Sequence, residues 1–145
     1  MEQAIALARQ AEQIDEVPIG AVIVQNDRVI GTGFNVRESL RCITRHAEII
    51  ALEDACKQLK NWRLPDCDIY VTLEPCIMCA GALVQARIRT VYFGAYDPKA
   101  GALGSLYKLH EDKRLNHRLE VVGGVLSQEC GNMLSTFFHK KRVSK

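Results

Sequence analysis

The 145-residue sequence has no apolar run that approaches the about 18 residues a membrane-spanning helix needs. Its first residues lack the basic segment and apolar core of a secretory signal, and it shows no internal repeat, linker or low-complexity stretch. Apolar residues make up 48% and charged residues 25%, which is typical of a globular protein with a buried core. We therefore expect one domain, residues 1–145, located in the cytoplasm.

Disulfides are also unexpected, although the sequence contains six cysteines. An even number of cysteines can indicate a disulfide framework in a short secreted chain. A 145-residue chain without a secretory signal is more typical of a reducing compartment. The cysteines are therefore interpreted as free thiols or metal ligands.

Net charge is low but unevenly distributed. Residues 1–60 carry seven Lys and Arg against nine Asp and Glu, whereas residues 61–145 carry twelve against eight. Basic side chains in the second part suit a polyanionic partner such as RNA, although a solvated surface would give the same composition. They are concentrated at Lys108, Lys113, Arg114, Arg118, Lys140, Lys141, Arg142 and Lys145.

Two short stretches carry the candidate chemistry: His46-Ala47-Glu48 and Pro75-Cys76-Ile77-Met78-Cys79. One His and two Cys are ligands that zinc prefers, and a catalytic zinc site with three protein ligands leaves one position open for water. A carboxylate beside that water, here Glu48, is suited to proton transfer. The pattern H-x-E followed by P-C-x-x-C is the signature of zinc-dependent nucleobase deaminases.

The spacing of these residues restricts how they can share one site. Cys76 and Cys79, three residues apart, share one face of a helix. His46 and Glu48 would point in different directions in the middle of a helix, so they must lie where the helix begins. We predict Thr44 as the N-cap of that helix and Pro75 as the first residue of the cysteine helix. Two helix N-termini would then meet at the metal and favour thiolates.

Each fragment has an alternative interpretation. A Cys-x-x-Cys pair can be a redox pair or half of a structural zinc site, and a His at a helix start is often a cap or a surface residue. A structural site would need a fourth protein ligand, and the remaining His and Cys residues lack zinc-finger spacing to these three. The two fragments together, with Glu48 in register, favour a catalytic zinc site.

The remaining chain predicts alternating helices and strands. Residues 17–24 and 29–34 form a predicted hairpin around the turn Gln25–Arg28, and Gly31 and Gly33 would allow close approach of another backbone. A strand, the cysteine helix and a strand over 68–94 predict a parallel pair. Residues 95–118 form an unusually long loop of the kind that is often functional. Trp62 is predicted in the core.

Asn35 follows the hairpin and is a candidate for substrate binding. Its amide can both donate and accept hydrogen bonds, which suits the edge of a nucleobase. Asn is equally suited to forming a turn, so the residue type leaves both roles open.

These residues resemble the cytidine/deoxycytidylate deaminase superfamily and, within it, the bacterial tRNA-specific adenosine deaminases. The segment from Phe93 to Arg118 is what distinguishes the tRNA-acting group. The resemblance is carried by Val17-Pro18-Ile19-Gly20-Ala21, Asn35, His46-Ala47-Glu48, residues 70–82, Phe93-Gly94-Ala95, Asp97, Gly101, Gly104-Ser105-Leu106, Asn116-His117-Arg118 and Phe137-Phe138.

The resemblance implies a three-layer α/β/α fold with a mixed five-stranded sheet, one Zn²⁺ per subunit and a homodimer. It implies conversion of adenosine to inosine at the wobble position of a tRNA anticodon stem-loop. His46, Cys76 and Cys79 would be the metal ligands and Glu48 the proton carrier. Asn35 matches a position that contacts the flipped base, and Asp97 matches a position near the target nucleotide. A deaminase of a free nucleobase or nucleoside, of guanine or cytidine type, and a non-catalytic zinc-binding RNA module are the alternatives.

Overall fold

The computed structural model describes residues 1–144, so Lys145 of the basic tail lies outside the described residues. It contains four α-helices and five strands. The helices are α1 (Glu2–Gln13), α2 (Ala47–Leu59), α3 (Ile77–Gln85) and α4 (Ser127–Val143). The strands are β1 (Gly20–Gln25), β2 (Arg28–Phe34), β3 (Cys67–Leu73), β4 (Thr90–Ala95) and β5 (Glu120–Val122). A short 3₁₀ helix spans Leu109–Glu111.

The five strands form one mixed sheet in the order β2-β1-β3-β4-β5. β1 is antiparallel to both β2 and β3, whereas β3, β4 and β5 run parallel. The hairpin turn was predicted correctly: Asn26 and Asp27 both have positive φ, at 50° and 62°, which matches the twist of the two strands. The predicted parallel pair around the cysteine helix is confirmed.

The helices lie in two layers, one on each face of the sheet, so the predicted α/β/α architecture is confirmed. Alanines of α2 and apolar residues of α3 pack with Ala21, Val71 and Phe93 in the larger core. Ile5 and Ala8 of α1 pack with Cys130 and Met133 of α4 in a smaller core on the other face. The sheet therefore fixes where α2 and α3 begin, which positions the candidate site.

Gly31 and Gly33 explain the close contact between β2 and α2. A Cβ at either glycine would overlap backbone atoms of α2, at Ala51 for Gly31 and at Ala47 for Gly33. The absence of a side chain lets α2 lie directly on the hairpin. The predicted close approach is confirmed, and it places the first turn of α2.

Three local predictions were wrong. α2 begins one residue after His46, which is its N-cap, so Thr44 does not cap it. α3 likewise begins after Cys76, and Pro75 precedes the cap instead of opening the helix. Trp62 is 59% exposed and stacks with the Arg63 guanidinium, 4.8 Å from its ring centre, so it is not a core residue. No described helix is both long and apolar enough to cross a membrane.

Candidate active site

Two helix N-termini meet where β3 ends. His46 is the N-cap of α2 and Cys76 the N-cap of α3, and both have extended backbone conformations. The His46 and Cys76 side chains face each other across the two helix ends. Cys79 lies in the first turn of α3 and is fully buried. The His46 side chain makes no capping hydrogen bond to α2.

His46, Cys76 and Cys79 form one compact group. Their donor atoms all lie within 4.8 Å of one another. The Nδ1 atom of His46 is 3.5 Å from the Cys79 sulfur and 3.8 Å from the Cys76 sulfur. Within residues 1–144 no fourth His, Cys, Asp or Glu donor joins this group. The arrangement could hold a metal ion through three protein ligands and leave a further position for a small molecule.

Hydrogen bonds within the group shift the pKa values of its three members in different directions. The Cys79 thiol, together with the His46 ring, stabilises the Cys76 thiolate and lowers the pKa of Cys76 to about 4. The same hydrogen bond to Cys76, with burial, raises the pKa of Cys79. The Cys76 contact also raises the pKa of His46. One thiolate is therefore already formed, and it is the charged form of cysteine that binds metals.

Glu48 lies beside this group in the first turn of α2 and is 4% exposed. Burial raises the pKa of Glu48 to about 7, and the negative charge of Cys76 acts in the same direction. A carboxyl group held in this way can accept and return a proton near neutral pH. Position and environment both suit a proton carrier.

A cavity of about 230 Å³ connects these residues with the two predicted substrate-binding residues. Asn35 is 5% exposed; its Nδ2 donates to the Val17 carbonyl at 3.2 Å, and its Oδ1 accepts from the Arg37 amide at 3.2 Å. Asn35 therefore stabilises the turn that follows β2, which is one of the two roles that its residue type left open. It also lines the cavity. The lining consists of Val17, Ile19, Asn35, Arg37, His46, Glu48, Leu73, Glu74, Cys76, Asp97, Ala100 and Phe138.

Asp97 reaches the cavity from the long loop after β4. Its Oδ1 accepts hydrogen bonds from the backbone amides of Lys99 and Ala100, at 3.0 and 3.2 Å. Its own backbone amide donates to Glu74 at 3.0 Å. The carboxylate is therefore held in place by its own loop.

Two cavity residues were missed by sequence reasoning, Arg37 and Glu74. Glu74 is 2% exposed. Burial alone would raise the pKa of Glu74, but hydrogen bonds from Ser105, Asp97 and Leu103 outweigh it and hold the pKa below its ordinary value.

Known proteins of similar sequence are deaminases. Residues 1–142 match the MafB19-like deaminase family. The tRNA-specific adenosine deaminase of Bacillus subtilis (strain 168) is 50% identical over 145 residues, which cover all of this chain and 90% of that protein. The tRNA-specific adenosine deaminase of Haemophilus influenzae (strain ATCC 51907 / DSM 11121 / KW20 / Rd) is 49% identical over 146 residues. The match covers 100% of this chain and 84% of that protein.

A solved structure from studies of A-to-I editing by tRNA:A34 deaminases at the wobble position of transfer RNA has the same fold. It superposes with a TM-score of 0.89 and 46% identity, covering 92% of this chain and 97% of that chain. The chain thus belongs to the MafB19-like deaminase family and, within the cytidine/deoxycytidylate deaminase superfamily, to the tRNA-specific adenosine deaminases.

Proposed function

We propose that this chain, acting as one catalytic domain, hydrolyses adenosine to inosine at the wobble position of a tRNA anticodon. The observation that carries the proposal is the group of three metal-ligand atoms within 4.8 Å, beside a buried Glu48 and open to one cavity. The names of the close relatives support adenosine in tRNA as the substrate.

Zn²⁺ is the metal that best fits the residues present. One imidazole and two thiolates are its usual ligands, and a set of three protein donors is typical of catalytic zinc. When bound, zinc supplies a water molecule that loses its proton near neutral pH. His46, Cys76 and Cys79 would hold the ion, while Glu48 remains free of it and available for proton transfer.

Glu48 would carry protons in two stages. It accepts a proton from the attacking water and delivers it to the ring nitrogen next to the carbon that bears the exocyclic amine. The water oxygen bonds to that carbon as a hydroxyl. Glu48 then takes the hydroxyl proton and passes it to the exocyclic amine, so the carbon–nitrogen bond breaks, ammonia leaves and a carbonyl remains. Proton transfer by a positioned side chain contributes about 10²–10⁴-fold to the rate.

The cavity admits one base. At about 230 Å³ it is smaller than the about 300–1,000 Å³ of pockets that bind drug-sized ligands, so it suits a single nucleobase, whether free or part of a chain. Asn35 and Asp97 on its walls would contact the nucleotide. A base in an anticodon loop is already unpaired, which lowers the energy required to bring it into the cavity.

RNA binding is supported by the charges of the long loop. Lys108, Lys113, Arg114 and Arg118 are all exposed on it. Arg114 is paired with Asp112 at 2.7 Å, so Lys108 and Lys113 are the better candidates for phosphate contacts. A tRNA substrate also implies a cytoplasmic location.

We also propose a homodimer through the groove between α2 and α3. The groove is apolar and includes the half-exposed Trp62, with Ile49 and Leu52 from α2 and Ala82 and Ala86 from the α3 side. Small residues of α3 permit close approach of a second helix. Light scattering should give twice the chain mass for the wild type and a smaller mass for Trp62→Glu.

One assay separates the proposed reaction from its alternatives. Purified protein is incubated with an unmodified tRNA transcript and, separately, with free adenosine, cytidine and guanine, and inosine and ammonia are measured. We expect inosine in the tRNA only, and none with Glu48→Ala as the matched control. Deamination of the free compounds in preference to tRNA would contradict the proposal, as would RNA binding without any product.

A further inference from the structure

Part of the cavity wall is a loop that is held by one buried side chain. Residues 97–105 leave β4 and pass over the end of β3, where Glu74 follows the last residue of that strand. Glu74 is 2% exposed and lines the cavity without being a metal-ligand candidate.

All four hydrogen bonds to the Glu74 carboxylate come from this loop. Oε1 accepts from the Asp97 amide at 3.0 Å and from the Ser105 hydroxyl. Oε2 accepts from the amides of Leu103 and Ser105, at 3.1 and 3.0 Å. Within residues 1–144 no Lys, Arg or His forms an ion pair with Glu74. The carboxylate therefore binds three backbone amides and one hydroxyl of the loop, and no positively charged side chain among the described residues.

Gly101 brings the loop backbone directly against the same carboxylate. A Cβ at Gly101 would overlap the Glu74 carboxyl group, so only glycine permits this approach. Gly101 also pairs with Cys76 in an isolated bridge, and the Ala102 amide donates to the Pro75 carbonyl at 2.9 Å. The loop is thereby fixed relative to the residue that begins the cysteine helix.

We propose that Glu74 is a positioning residue for the substrate. By fixing the Asp97 end and the Ser105 end of one loop, it sets the distance between the substrate-binding wall and the metal-ligand group. Its effect reaches the substrate through Asp97 and the loop, not by contact with the reacting atoms. This inference rests on the proposed function, because it takes the cavity to be the site of the tRNA base.

Glu74→Gln is the first test. All four partners are donors, so the amide NH₂ of Gln would face donors and lose acceptor capacity with little change in shape. We expect faster amide exchange in peptides covering 97–106, measured by mass spectrometry without substrate. We further expect kcat/KM on an anticodon stem-loop to fall by about 10²-fold, mainly through KM, with unchanged metal content.

Two further variants test the contact from the loop side. Gly101→Ala leaves Glu74 intact but displaces the loop, and it should reproduce the effects of Glu74→Gln. Ser105→Ala removes only the hydrogen bond that the Ser105 hydroxyl donates to Glu74. It should therefore increase loop exchange and KM less than the other two variants do. Asp68→Asn, at the other end of β3 and paired with Arg89, is the control and should change neither exchange nor KM.

Loop exchange as slow in Glu74→Gln and Gly101→Ala as in wild type would overturn the proposal. So would faster exchange with an unchanged KM, or a lower melting temperature with metal loss as the sole effect. If Glu74→Gln does not fold, the exchange and KM of Gly101→Ala and Ser105→Ala decide. Wild-type protein that makes no inosine from tRNA would contradict the proposed function instead, and the exchange measurement separates the two because it needs no substrate.

Discussion

The two sides of the cavity are built differently. On the metal-ligand side, His46 and Cys76 cap two helices and Cys79 lies one turn further, so short stretches of sequence and the sheet beneath them set the geometry. On the substrate side, Asn35 and Asp97 lie outside the helices and are held by hydrogen bonds to Val17 and Glu74. These partners are 18 and 23 residues away in sequence.

The difference separates chemistry from recognition. A substitution on the metal-ligand side should remove the metal or the proton carrier and leave the loops in place. A substitution on the substrate side should weaken binding and leave the metal in place. Metal content and the division of an effect between kcat and KM therefore distinguish the two sides.

Loss of a ligand should have the largest effect. Cys76→Ser replaces a thiolate whose pKa is already lowered to about 4 with a hydroxyl that stays protonated, so zinc should be lost and turnover with it. Metal analysis and inosine formation check this. Cys42→Ser, on the loop before α2 and outside the ligand group, should keep both. Full zinc occupancy in Cys76→Ser would show that Cys76 is not a ligand.

Removal of the proton carrier should come next. Glu48→Gln keeps the size of the side chain but cannot accept the proton, so kcat should fall by about 10²–10⁴-fold with metal retained. Glu2→Gln is the matched control, because Glu2 is exposed and also lies in the first turn of a helix, α1. Near-normal kcat in Glu48→Gln would refute the assigned role.

Substitution of Asn35 should raise KM and spare the metal. Asn35→Ala loses the whole amide, and a binding site deprived of a hydrogen-bonding group should lose about 10–100-fold in kcat/KM. Asn35→Asp keeps the oxygen that accepts from the Arg37 amide but loses the donor. If Asn35→Asp restores full activity, the residue supports the turn alone and does not donate to the base.

The basic loop should show the smallest effect. Lys108→Ala together with Lys113→Ala should weaken tRNA binding and reduce the slope of log K against log salt by about one for each lost phosphate contact. Titration at several salt concentrations measures this slope. Lys60→Asn, at the far end of α2, should leave it unchanged, because Asn tolerates the positive φ of 53° found there. An unchanged slope in the double variant would place the RNA elsewhere.

The fold was largely predictable because its signals are local. An apolar, β-branched run over residues 17–24 indicated the first strand, and Asn26-Asp27 indicated the hairpin turn that the structure contains. The caps at Thr44 and Pro75 were predicted from residue preference, which fails where a ligand residue takes the extended cap position itself. Trp62 was misplaced because its hydrophobicity does not show that it borders an open groove.

The grouping of His46, Cys76 and Cys79 was visible in the sequence, because two spaced motifs define these metal-ligand candidates. The role of Glu74 was not visible, because its four donors lie 23 to 31 residues downstream in a loop without periodicity. Contacts of this kind depend on the tertiary path of the loop, which no local pattern indicates.

X-ray absorption at the zinc edge of the wild-type protein tests the central claim most directly, because it counts the atoms bound to the metal. Our account predicts two sulfur atoms and one imidazole nitrogen from the protein, with the remaining position taken by a light atom from solvent. A fourth ligand from the protein, whether sulfur or imidazole nitrogen, would contradict the account and exclude the reaction assigned to this cavity. So would fewer than two sulfur ligands.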